Sequence, residues 1–314
     1  MNTIYHLWPK GKLKLYNIIS TKSYSSNYLE KNIKKRFNNR GYPILISSGR
    51  VGITLILINL KIKKNEKVKI FPYASQCVKD AVLKVGIPSF SKSKLKSSIN
   101  IIYHQYGYIN FNSYKGLIIE DSVDSLVKKN GKLFLAGGNY EIWSLNKILG
   151  SFGGAILWCK NKRDYEKIVK IRDNRNNYTN LSWFIKLIST KFNFLAPLWY
   201  KIEILGGPVP KWALKQLSLD LKNWDEITKQ RLKRFEIFKD LIPKWAKVEK
   251  TRIPCVIPSK LTKKNINYLK KLGMHFGERH FLINNNKLIK VFLISIHQDI
   301  PIIILKKIRK ILLK

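Results

Sequence analysis

The chain of 314 residues carries 60 Lys and Arg against 19 Asp and Glu, a formal charge of +41, with material for one large domain or two modest ones. Cys77, Cys159 and Cys255 are too far apart for a disulfide frame or a zinc spacing, which excludes a small stapled fold. No apolar run approaches a membrane span or a signal-peptide core, so a cytoplasmic protein is expected. The basic residues spread along the whole length in a background of Lys, Asn and Ile, which reads as the composition of an AT-rich genome. A footprint for nucleic acid, an anionic membrane or a polyanionic substrate is the rival reading; no nucleic-acid motif accompanies the charge, so a nucleic-acid binder ranks last and no nucleic acid is expected as a partner.

Residues 1–40 form a polar, basic arm with a helix expected near Asn27–Asn38. Pro43–Ile46 reads as a strand entering Ser47-Ser48-Gly49-Arg50, and the apolar segment Val51–Leu60 has helical length. A small turn that opens a helix offers free backbone N–H groups, so Ser48, Gly49 and Arg50 mark either a phosphate site or an ordinary N-cap. Lys67–Phe71 alternates as a strand and stops at Pro72, before a helix expected over Ser75–Val85. Ser89–Ser98 is short and lysine-rich. Ile101–His104 and Gly116–Ile119 are further strands, ending in Gln105-Tyr106-Gly107 and Glu120-Asp121.

Tyr140–Ser144 is an apolar strand that delivers a hydroxyl, Ser144, and three residues later an amine, Lys147, into a glycine-rich turn with Gly150, Gly153 and Gly154. Ala155–Cys159 leaves that turn as a strand. An amine behind an apolar strand is costly unless it is paired or neutralised, and a Schiff base to an aldehyde cofactor is one way to neutralise it. Strands separated by helices predict an α/β fold, a three-layer, mainly parallel sheet whose ligands gather beyond the carboxyl ends of its strands. The serine turn, His104, Asp121 and Ser144–Lys147 all fall at such ends. Beyond residue 160, a charged helix over Asp164–Asn174 precedes Leu181–Leu205, rich in Trp, Phe and Leu. That segment reads as core or dimer contact, or as an interfacial membrane segment. A long helix over Leu217–Leu241, containing Arg231 and Arg234, leads to a smaller C-terminal α+β region with helices at Lys264–Leu272 and Ile300–Leu313. The expected division is an arm over 1–40, a large α/β domain over 41–180, and linker helices with a small α+β domain over 181–314.

Taken in order, these segments resemble the DegT/DnrJ/StrS sugar aminotransferases, pyridoxal-phosphate (PLP) enzymes of fold type I, over roughly residues 40–314. Ser48-Gly49-Arg50 looks like the phosphate-side turn. His104-Gln105-Tyr106-Gly107 is similar to a histidine–glycine piece after a family strand. Glu120-Asp121 resembles the acidic pair beside the pyridine ring, and Ser144–Lys147 with Gly153-Gly154 resembles the Schiff-base lysine segment. His297 is similar to the family's closing histidine. The resemblance implies that Asp121 keeps the pyridine nitrogen protonated and that Lys147 carries the cofactor and moves protons. It implies further that Ser144 and the Ser48-Gly49 backbone hold the phosphate. His104 either contacts cofactor or substrate or is a satisfied structural group. Two departures stand out. Asp124 occupies the place of a glutamine near the phenolic oxygen, and the stacking aromatic is not evident, Tyr73 and Gln76 being the nearest candidates. The implied activity is amination of a nucleotide-linked keto-sugar, with glutamate as donor, for surface polysaccharide or glycan assembly. A homodimer is implied, with Asn174, Arg175 and Asn176 as a cross-subunit loop. The alternative is a relative that has stopped catalysing and serves as a binding or regulatory module.

Overall fold

The computed structural model describes residues 4–14, 24–37, 40–90, 98–110, 114–190, 192–274, 278–283 and 287–313. Most of the lysine-rich Ser89–Ser98 and the end of the Asn27–Asn38 helix lie outside the described residues. Helix α1 (Ser26–Arg36) precedes β1 (Tyr42–Ile46), α2 (Gly49–Asn59), β2 (Lys67–Ile70), α3 (Gln76–Leu83), β3 (Ile87–Phe90), β4 (Ile99–Tyr103) and β5 (Leu117–Asp121). There follow β6 (Leu126–Val127), β7 (Tyr140–Ser144), α4 (Leu145–Leu149), β8 (Ala155–Cys159), α5 (Lys162–Asp173), α6 (Asn176–Ser189) and α7 (Ala196–Glu203). The chain closes with α8 (Leu214–Lys222), α9 (Trp224–Glu236), β9 (Arg252–Ile253), β10 (Val256–Ser259), α10 (Lys263–Lys271), β11 (Glu278–Ile283), β12 (Lys287–Ser295) and α11 (Ile302–Leu312).

The main sheet runs β1-β8-β7-β5-β4-β2-β3. Only β8 opposes the rest, pairing antiparallel with β1 on one side and β7 on the other. Alternation along the strands makes the three layers. Leu45, Trp143, Ile156 and Trp158 enter one core with α1, α8, α9 and α11. Ile44, Ile46, Ile142, Ala155 and Leu157 enter the other with α2, α3 and α5. A strand buried on both faces needs apolar residues at every position, which Ala155-Ile156-Leu157-Trp158-Cys159 supplies. An antiparallel sheet β10-β12-β11 lies in the last part of the chain, the small pair β6-β9 joins Leu126–Val127 to Arg252–Ile253, and the first core reaches β12 and α11 through Phe292, Ile294 and Leu305.

Register aligns the strand ends that matter. Tyr103 lies opposite Asp121, and Asp121 opposite Ile142, two residues before Ser144. Two elements differ from expectation. The helix expected over Leu217–Leu241 breaks at Asn223 (ψ 3°), whose backbone ends α8 and starts α9. The aromatic Leu181–Leu205 segment is two helices, α6 and α7, because Pro197 starts a new helix rather than continuing one. No helix among the described residues is long and apolar enough to cross a membrane.

Candidate active site around Lys147

Lys147 lies on α4, a single turn of helix, and not in the glycine turn where the sequence suggested it. Leu145, Ile148 and Leu149 bury one side of that turn and so carry the helix past the lysine. Gly150 ends it in the left-handed region (φ 75°), where a Cβ would lie 3.2 Å from the Pro9 Cβ and 3.4 Å from the Lys10 carbonyl oxygen. The amine is thereby aimed at the end of β5. Its Nζ is 3.3 Å from Asp124 Oδ1 and 4.4 Å from the centroid of the Trp8 ring, with 27 % of the side chain exposed. Burial opposes the ammonium, but Asp124 and then Asp121 outweigh it and hold Lys147 above its ordinary range.

Asp121 is buried at the last position of β5, and Oδ1 accepts the Val123 N–H at 3.3 Å. Burial pushes its carboxyl up to about 6; Lys147 pulls it down and Asp124 adds to the rise. Asp124 is fully buried. Its Oδ1 also accepts the Trp8 Nε1–H at 2.7 Å, and its Oδ2 accepts a short hydrogen bond from the Tyr103 hydroxyl. A lysine and two carboxylates from separate elements therefore meet beyond the carboxyl end of β5.

The serine turn is tied to the start of the Lys147 helix through backbone. Ser47 N–H donates to the Gly207 carbonyl (2.9 Å), Gly154 N–H donates to the Ser47 carbonyl (3.0 Å), and Leu145 N–H donates to the Gly154 carbonyl (3.0 Å). These bonds tie the start of α2 to the start of α4. Ser48 caps α2, accepting from Val51 N at 3.4 Å, so its hydroxyl does the ordinary capping work. The Ser47 hydroxyl is buried without a hydrogen-bond partner. Ser144 is half-buried and makes no capping bond with its side chain. Tyr73 is half-buried with its ring 5.3 Å from that of Phe71, and burial with the nearby Tyr114, Tyr106 and Asp121 raises its phenol.

Three expected site residues point elsewhere. The Arg50 guanidinium turns from the serine turn to a short ion pair with Glu203 and a bond to the Tyr200 carbonyl (3.2 Å), beneath the Tyr200 ring. Gln76 is exposed and donates to Asp80 one helical turn on, at 2.6 Å. His104 is completely buried; Nδ1 accepts the Asn110 N–H (3.0 Å) and Nε2 donates to Glu120 Oε2 (2.8 Å). Neither ring nitrogen remains for cofactor or substrate, so His104 is a structural group. His297 is similar, bonded to the His6 carbonyl at 2.9 Å, with burial pushing it down to about 4. In the expected cross-subunit loop, Asn174 ends α5, and Arg175 leaves a buried Nη1 without a hydrogen-bond partner.

Trp8 and Tyr103 were missed as site residues. Two signals were available: a large aromatic next to Pro9 inside a polar arm, and a tyrosine ending a strand rich in isoleucine.

The residue set suits PLP: a partly open amine, a buried carboxylate behind it, and a helix start with an unpartnered serine hydroxyl for the phosphate. No cluster of His, Cys, Asp or Glu among the described residues could hold a metal ion. A family model described as "Putative PLP-dependent aminotransferase" matches residues 29–311, while the search of curated proteins gives no match. The same description is carried by a crystal structure from Bacillus cereus ATCC 10987 that is 15 % identical, covers 100 % of both chains and has a TM-score of 0.66. A DegT/DnrJ/EryC1/StrS aminotransferase from Brucella abortus is 12 % identical over 91 % of this chain and 88 % of its own, with a TM-score of 0.59. DesI, solved in the presence of its TDP-sugar product, is 11 % identical over 99 % of this chain and 92 % of its own, with a TM-score of 0.63. At these identities the structures speak for the fold, and the family match speaks for more: the chain belongs to the PLP-dependent aminotransferase family, with PLP as its cofactor.

Proposed function

We propose that the protein aminates a nucleotide-linked keto-sugar in the cytoplasm, taking the amino group from glutamate, in the synthesis of a surface polysaccharide or glycan. The carrying observation is the convergence of Lys147, Asp121 and the serine turn on one cleft at the carboxyl ends of β7, β5 and β1. The sugar class rests on the ordered motifs and on structural relatives such as DesI, whose product is a TDP-sugar. A strongly basic chain suits a diphosphate-bearing substrate.

PLP bound here supplies an electron sink for the carbanion that transamination requires. The chain's own residues divide the remaining work. Lys147 would hold the cofactor through Nζ and, when free, would serve as acid and base at the reacting carbon. Asp121 would supply the negative charge that favours a protonated ring nitrogen. The N–H groups of Gly49 and Arg50, with the hydroxyls of Ser144 and Ser47, would hold the phosphate at the start of α2. Tyr73, beside Phe71, would contribute an aromatic side chain to the site.

The α6–α7 face exposes Tyr178, Leu181, Phe184, Phe194, Leu198 and Tyr200. Tyr200 also covers Arg50 and lies in the field of Lys147, so this apolar face runs up to the site. We assign it to the contact between two copies. Sedimentation that finds a dimer, dissociated by Phe194→Asp, supports the assignment. A monomer that instead pellets with anionic vesicles gives the face to a lipid surface.

The enzyme reading is tested by adding PLP to purified protein. A visible absorbance band should develop, disappear in Lys147→Ala, and bleach with glutamate. A panel of nucleotide keto-sugars should then restore it. The non-catalytic reading is favoured by one observation, the carboxylate that pins Lys147. Wild-type protein that never develops the band would establish that reading.

A further inference from the structure

Asp124 stands where the family resemblance suggests an uncharged glutamine, and its surroundings are built for an anion. Trp8 Nε1 at 2.7 Å and Lys147 Nζ at 3.3 Å both reach Oδ1, while Tyr103 donates to Oδ2. Trp8 contributes twice, since its ring also lies over the ammonium, 4.4 Å away. The arm holding Trp8 is fastened along its length. Tyr5 N–H donates to the Gly273 carbonyl (2.9 Å), Lys10 N–H to Asp299 Oδ2 (2.8 Å), and Lys12 N–H to the Gly150 carbonyl (3.1 Å). The Ser295 hydroxyl donates to the Leu7 carbonyl at 2.6 Å.

We infer that Asp124, clamped by Trp8 and Tyr103, is a positioning counter-ion that stores Lys147 as its ammonium, so that the lysine must leave this clamp before it can bond to the cofactor. The inference rests on Lys147 being the cofactor-bearing lysine. Only the neutral amine has a lone pair to give. On leaving Asp124 the ammonium loses one proton to water, and the freed pair forms the N–C bond. The carbonyl oxygen then departs as water with the two remaining N–H hydrogens. The other titratable or charged groups facing this contact are Asp121, Cys255, Arg231, Tyr106 and Tyr200. Asp121 pulls in the same direction as Asp124, and burial holds the Cys255 thiol well above its usual range; Arg231 is a buried cation in the field of Asp124 that every variant used below retains, so substitution at Asp124 removes that carboxylate's contribution alone.

Two readouts test this. In cofactor-free protein, competitive acylation with acetic anhydride across pH, followed by mass spectrometry of the Lys147 peptide, reports its titration. In protein with added PLP, the pH at which the visible band develops reports the same amine. Asp124→Asn should lower both midpoints by about one to three pH units, as removal of a close opposite charge does. Trp8→Phe, which keeps a ring but loses the indole N–H, should lower them less. Midpoints in Asp124→Asn that match or exceed those of the wild type overturn the inference. Should that variant not fold, unchanged midpoints in Trp8→Phe overturn it. Wild-type protein that never develops the band defeats the enzyme reading instead, and the acylation arm still decides what Asp124 does.

Discussion

Two carboxylate–cation pairs meet at β7, and they are built differently. Glu141, within the strand, pairs with Arg252 at 2.5 Å, and both side chains are fully buried. Every bond around Glu141 is internal: Oε1 also accepts the Trp143 indole N–H and Oε2 the Phe134 N–H, each at 2.7 Å, while Arg252 donates to the Lys132 carbonyl. Arg252 and these donors hold the Glu141 carboxyl below its usual range despite its burial. Lys147, three residues past the strand, also has a carboxylate, but at 3.3 Å and with 27 % of its side chain exposed. The sealed pair fixes β9 and the 132–134 loop against the sheet. The open pair can be taken apart by a ligand. A carboxylate beside a guanidinium, which keeps its charge, gives architecture in one place; beside an amine, which can lose a proton, it leaves a group able to react in the other.

The comparison breaks most visibly at the sealed pair. Arg252→Met leaves Glu141 buried without its cation and should lower unfolding free energy by about 3–5 kcal/mol in denaturant titration. The visible band per folded molecule should stay unchanged, since Arg252 does not face the cleft.

Asp121→Asn should act oppositely on stability. The wild-type carboxyl is raised from 3.8 to about 6, so between these values the unfolded chain ionises while the folded one keeps its proton. Folding therefore weakens as pH rises through that window, by up to about 3 kcal/mol above pH 6 at about 1.4 kcal/mol per unit. The Asn variant lacks this penalty. Cofactor-free Asp121→Asn should be the more stable protein above pH 6, equal to wild type below pH 4, and unable to bleach with glutamate. Equal thermal midpoints at pH 8 would show that Asp121 carries no such burden.

The smallest effect belongs to Gln76→Ala. Its side chain meets only Asp80 on an exposed helix face, so stability should change by less than about 0.5 kcal/mol and PLP affinity not at all. A tenfold loss of PLP affinity would return Gln76 to the site.

Much of this architecture was legible in the residues. Pro43–Ile46, Tyr140–Ser144 and Ala155–Cys159 are short, largely apolar runs of strand length, and strand ends in an α/β sheet collect chemistry. Lys147 and Asp121 were legible because a charged group just past such a strand must find a partner. Side-chain direction was not. Arg50 is drawn off by Glu203, 153 positions away, and Trp8 reaches Asp124 across 116 positions. His104 was undecidable because its second partner is a backbone N–H whose place depends on the 105–110 turn. The α8–α9 break was hidden for the opposite reason: helical periodicity runs unchanged through Asn223, and only the backbone angle there reveals the corner.

The fastening of the arm has a consequence for folding. Its anchors are Gly150, Gly273, Ser295, His297 and Asp299, all remote from it in sequence. Contacts between such distant stretches require a long loop to close before they repay it, so the indole over Lys147 is seated by the closing of the whole molecule and not by its own neighbourhood.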